Sequence, residues 1–113
     1  MPVKKHKLNK KLLHEITKKI VGAFDVEKII LFGSFAYGKP WKDSDVDLFI
    51  IMESEERPSE RRIMVGNLFL EREMPMDFIV KTPNEVEKRL KLGDSFVEKI
   101  LKSGIVLYEK REG

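Results

Sequence analysis

The chain has 113 residues, a length for one domain with its own core and too short for two. Hydrophobic residues at 42% beside charged residues at 36% exclude a disordered chain, and a net charge of +3 does not by itself mark a polyanion binder. With no cysteine, disulfides, thiolate metal sites and a cysteine nucleophile are all excluded.

The longest apolar run, residues 48–52, is far below the roughly 18 residues that would suggest a membrane span. The basic start MPVKKHKLNKK is followed by the charged LLHEITKKIVGAF, so no signal-peptide core follows it, and a cytoplasmic location is expected. Lys and Glu dominate the charge and Gln is absent, a bias that fits a thermophile's surface.

Leu8, Leu12, Leu13, Ile16, Ile20 and Phe24 recur at helical spacing with lysines between them, which predicts an amphipathic helix over 8–24. Lysines 4, 5, 7, 10, 11, 18 and 19 could steer a nucleic acid or an acidic partner. No aromatics interleave with them to stack bases, and a solvated helix face is the simpler reading.

Residues 25–32 then form a β-rich run ending at Gly33, and 34–38 make one helical turn closed by Gly38. The second strand ends at Met52. Residues 53–62 read as a charged loop, with Ser59 capping a helix over 60–73 that turns Ile63, Leu68 and Phe69 inward. A third strand covers 76–81, and Thr82, Pro83 and Glu85 spell a capped helix start. Val86 and Leu90 carry that helix to Gly93–Asp94. A last helix through Phe96, Val97, Ile100 and Leu101 closes at Gly104, before a fourth strand over 105–108. The expected fold class is α/β (α+β): residues 1–113 as a single domain, with a mixed sheet of about four strands flanked by helices. Sheet order does not follow from the pattern.

The chemistry concentrates in IILFGSFAYGKPWKDSDVDLFIIM, residues 29–52. Asp45 and Asp47, two apart at a strand start, point to one face. Hard Mg²⁺ takes one or two such carboxylates and fills its other positions with water and phosphate oxygens. Alone, the pair also suits a turn leading into a strand. Asp77 is the one acid inside the apolar MDFIV, where burial is costly unless the acid is paired or metal-bound; its plainer reading is a strand-edge acid in solvent. Gly33 can bring bare backbone N–H groups to a phosphate, and Ser34 begins the short turn where an anion is favoured.

Residues 33–39, GSFAYGK, also match the opening of a P-loop, but Pro40 stands where Ser or Thr should hold Mg²⁺. Trp41 can stack on a base or pack over its own loop, and His6 and His14 are ordinary surface residues in this reading.

Gly33-Ser34, the ten residues 35–44, and Asp45-Val46-Asp47 together resemble the signature of minimal nucleotidyltransferases of the DNA polymerase β-like superfamily. Asp77 on a later strand matches the third acid, and KTPNEVEKRL and KILKSGIVLYE extend the likeness over nearly the whole chain. The resemblance implies transfer of AMP from ATP to a hydroxyl. It places two Mg²⁺ ions on Asp45, Asp47 and Asp77, and the triphosphate on Gly33, Ser34 and Gly38. Many relatives carry arginines where this chain has Phe35 and Tyr37, and Lys39 or Lys42 would have to replace those charges.

Larger relatives add a helical acceptor-recognition domain for which this chain has no room. The acceptor must therefore come from another chain or an oligomer. Minimal members pair with helical HEPN toxins, and some adenylylate a tyrosine of the toxin. The resemblance thus implies the antitoxin of a type VII toxin–antitoxin pair. The alternative is an adaptor with weak catalysis that neutralises its partner by contact; a nucleic-acid-binding module ranks third.

Overall fold

The computed structural model describes residues 8–38, 45–71 and 74–111. Helix α1, Lys10–Ala23, opens on Asn9, whose side chain accepts from the Leu12 N–H at 2.8 Å. Strands β1, Val26–Phe32, and β2, Val46–Met52, follow. Helix α2, Pro58–Gly66, runs into a single 3-10 turn, Asn67–Phe69. Strand β3, Met76–Lys81, then leads through α3, Pro83–Lys91, and α4, Ser95–Ser103, to β4, Ile105–Glu109.

The capped start of α3 is as expected: Thr82 Oγ1 accepts from Glu85 N–H, and the Glu85 carboxylate accepts from Thr82 N–H. Helix α2 departs from expectation. It begins at Pro58, inside the stretch read as a loop, and its N-cap is Arg57 with no side-chain bond, so Ser59 caps nothing. Proline's fixed φ starts the helix in place of a cap. Ile63, expected to face inward, is 61% exposed, while Arg61 and Val65 take the buried positions.

The four strands make one mixed sheet in the order β3-β2-β1-β4. β1 pairs antiparallel with β2 and β4, and β2 pairs parallel with β3. The alternation of side chains divides the core in two. Ile29, Leu31, Leu48, Ile50, Phe78 and Val80 pack on one face with Ile16 and Ile20 of α1 and Val65 of α2. Ile30, Phe32, Phe49 and Ile51 pack on the other with Val86 of α3 and Val97 and Ile100 of α4. No described helix is long and apolar enough to cross a membrane.

Strand β3 lies at a sheet edge, and α2 shields part of it. Arg61, 4% exposed, donates from Nη1 to the Val80 carbonyl at 3.2 Å and from Nε to the Glu56 carbonyl at 2.9 Å. Its guanidinium also forms a forked pair with the Glu85 carboxylate, at 2.6 and 3.2 Å. One side chain thereby ties α2, the edge strand and the start of α3 together.

Candidate active site

Asp47 is the second residue of β2 and Asp77 the second of β3, and they are direct partners in the parallel register. Parity puts both on the face shared by Phe49, Ile51 and Ile79, toward α3 and α4. The starts of the two strands are held level by a 2.9 Å bond from the Val46 N–H to the Pro75 carbonyl. Asp45 sits just ahead of β2 and is exposed.

On the other side of β2, Asp47 pairs with Phe32, the last residue of β1. Gly33 follows directly, at φ +76. A Cβ there would collide with Asp47 Oδ2, so both the backbone conformation and the carboxylate below it require glycine. The Gly33 carbonyl accepts from Ala36 and Tyr37 N–H groups, each at 3.0 Å, forming the short helical turn. Gly38 follows it at φ +78. The Gly33–Ser34 turn is thus seated on Asp47, with Asp77 one strand farther. Lys39, Pro40, Trp41 and Lys42 lie outside the described residues. Strand β2 resumes at Val46, which leaves no space for the long helix that a P-loop opens.

Burial and the charges of Asp45 and Asp77 raise the Asp47 carboxyl from 3.8 to about 6. Asp77 has a cation instead: Arg62 Nη2 donates to its Oδ1 at 2.6 Å, and the same oxygen accepts from Phe78 N–H at 3.1 Å. Among the described residues no three acidic or imidazole groups are gathered closely enough to hold a metal as they stand. The donor set nevertheless suits a hard divalent cation, with carboxylate oxygens only and an excess negative charge at Asp47. The Arg62 pair is exposed and therefore weakly held.

Two cations here were not anticipated from the sequence. Arg62 reaches Asp77 only because α2 packs along β3. Lys99 of α4 places its Nζ 4.9 Å from the Tyr37 ring centroid, bringing positive charge to the turn that carries Phe35 and Tyr37. Phe35 and Tyr37 themselves pack against opposite cores. Nothing in the local spacing of Arg62 or Lys99 signals either contact.

Beside Asp77 the sheet edge opens into a groove of about 480 Å³, between α2 and the first half of β3. Arg62, Ile63, Gly66, Met76 and Phe78 also line it.

A family model described as polymerase beta, nucleotidyltransferase matches residues 14–113. No curated protein sequence gives a significant match. Among solved structures, a provisionally assigned nucleotidyltransferase from Sulfolobus solfataricus is similar at TM-score 0.64 and 23% identity, over 91% of this chain and 82% of that one. A mutant MntA-HpeT toxin–antitoxin structure is similar at TM-score 0.63 and 16% identity, over 92% of this chain and 76% of that one. A toxin–antitoxin structure with AMP-PNP gives TM-score 0.63 at 17% identity, over 88% and 74%. At these identities the likeness shows a shared fold.

Proposed function

The chain belongs to the polymerase β nucleotidyltransferase family, and from that premise we propose that it transfers AMP from ATP to a tyrosine hydroxyl of a HEPN toxin, as the antitoxin of a type VII pair. The observation that carries this reading is the register pairing of Asp47 with Asp77 beneath the Gly33–Ser34 turn. A toxin–antitoxin structure with AMP-PNP among the similar folds supports both the nucleotide and the partner.

Asp45, Asp47 and Asp77 would hold two Mg²⁺ ions, which when bound neutralise triphosphate charge and make the acceptor hydroxyl more acidic. The N–H groups of the Gly33–Ser34 turn and the Ser34 hydroxyl hold the phosphates, with Gly38 closing the turn. Asp77 takes the acceptor's proton as its oxygen bonds to the α-phosphorus and pyrophosphate leaves. Burial and the neighbouring charges of Asp45 and Asp77 raise the Asp47 carboxyl, a cost that bound cations would relieve.

A mixture of the protein, Mg²⁺ and α-labelled ATP is expected to label a co-expressed HEPN partner on tyrosine. Labelling should vanish with EDTA. Persistence of labelling in the Asp45→Ala, Asp47→Ala double variant would show that another site performs the transfer.

The commitment of Phe35 and Tyr37 to packing favours a second reading, an adaptor that neutralises its partner by contact. Tight partner binding without any ATP–Mg²⁺ heat in calorimetry is the result expected of that adaptor.

A further inference from the structure

We propose that the groove between α2 and β3 is the acceptor subsite, and that it takes a tyrosine side chain on an extended polypeptide segment laid along the β3 edge. This rests on the nucleotidyl-transfer reading above and adds to it where the acceptor binds and what chemistry recognises it.

Three observations point there. First, Asp77, the carboxylate assigned the acceptor's proton, lines the groove, so a hydroxyl held there lies beside the group that needs it. Second, Met76, Asp77 and Phe78 line it consecutively. Alternate residues of a strand face opposite ways, so a space touching all three runs along the strand's free edge. An edge is suited to an extended chain, whose backbone can pair with it while one side chain enters a pocket. The apolar parts of Ile63, Met76 and Phe78 suit the body of an aromatic ring, and Asp77 its polar tip.

Third, the groove is kept open by a glycine that the backbone does not need. Gly66 ends α2 at φ −57, an ordinary helical value open to any residue. A Cβ there would meet no atom within 4 Å. Alanine would serve the helix better, so what glycine contributes is space. Ile63, one helical turn earlier, is exposed on the same rim.

The step balances without a further reactant. The tyrosine O–H loses its proton to Asp77, its oxygen bonds to the α-phosphorus, and the bond from that phosphorus to the departing pyrophosphate breaks. The products are O-adenylyl-tyrosine and pyrophosphate.

The experiment uses the full chain with N-acetyl-tyrosinamide as probe. The Ile63 and Met76 methyl signals are followed by NMR, ATP–Mg²⁺ binding by calorimetry, and AMP transfer from α-labelled ATP in parallel. In the wild type, the tyrosine probe is expected to shift both methyls. Gly66→Leu, which fills the groove, should abolish the shift and lower transfer to the probe by roughly tenfold or more, while ATP–Mg²⁺ affinity stays within about twofold. Gly66→Ala, which only narrows it, controls for folding, and Ile63→Glu on the same α2 wall should repeat the Leu result. Absence of the methyl shift in the wild type overturns the subsite, as does unchanged transfer in both groove variants. Equal shifts from a short oligonucleotide would assign the groove to nucleic acid. Probe binding in the groove without transfer to any acceptor leaves the subsite standing and removes the reaction assigned to the protein.

Discussion

Burial and two like charges make the Asp47 carboxyl a proton acceptor near pH 6, far above its value in an unfolded chain. The native state therefore binds more protons than the unfolded state between about pH 4 and pH 6. Stability falls as pH rises through that window and stays low above it until a cation arrives. Asp47→Asn removes the charge and keeps the shape, so it should raise the melting temperature of the metal-free protein at pH 7.5. It should also flatten the loss between pH 4 and 6 while weakening Mg²⁺ binding. Calorimetric melts across pH with EDTA check the first part, and Mn²⁺ titration checks the second. That Gly33 lies against Asp47 was legible because strand, turn and strand follow one another along one stretch, whereas Asp45 stands ahead of β2, outside the two-residue alternation. The Arg62 and Lys99 contacts were not, since each depends on a helix arriving from elsewhere in the chain.

The elements are joined by a few polar ties whose two ends are not equivalent. The Arg61 guanidinium beside Glu85 holds that carboxyl well down, from 4.5 to about 2, helped by the Thr82 N–H. Removing Glu85 leaves a buried guanidinium with only the Val80 and Glu56 carbonyls. Removing Arg61 leaves a carboxylate that water can reach. Glu85→Ala is therefore expected to cost about 3 kcal/mol, and Arg61→Met distinctly less, in urea unfolding at pH 7. Because the folded value is depressed, this tie is fully present above pH 4.5 and is lost as pH falls toward 2. Most element bounds followed from period and caps, as Thr82, Pro83 and Glu85 illustrate. The inward face of α2 did not, because the buried place that an apolar residue would take belongs to Arg61, and Ile63 is left to line the groove.

Across the whole molecule, the four-stranded sheet separates two cores, and the site collects at the shared start of β2 and β3. Sheet order was beyond sequence reasoning because β1 pairs with β4 from near the far end of the chain, a contact that no local pattern encodes. Carboxylates crowded at one end of the sheet make ligand binding a stabiliser of the entire fold. ATP with Mg²⁺ should raise the melting temperature in proportion to the logarithm of ligand concentration, with about 2.7 kcal/mol gained at a hundred times Kd. ATP with EDTA should give little of this. A melt that responds equally to both would separate nucleotide binding from the metal.

The parallel register that sets Asp47 opposite Asp77 also carries a consequence for quality control. A slip of one residue between β2 and β3 would turn Phe78 and Val80 out of one core and push Asp77 toward it. Mispairing therefore exposes oil and buries charge at once. A chain that has lost its chemistry in this way has also lost its fold, and will meet proteolysis rather than persist as a sound-looking but inert copy.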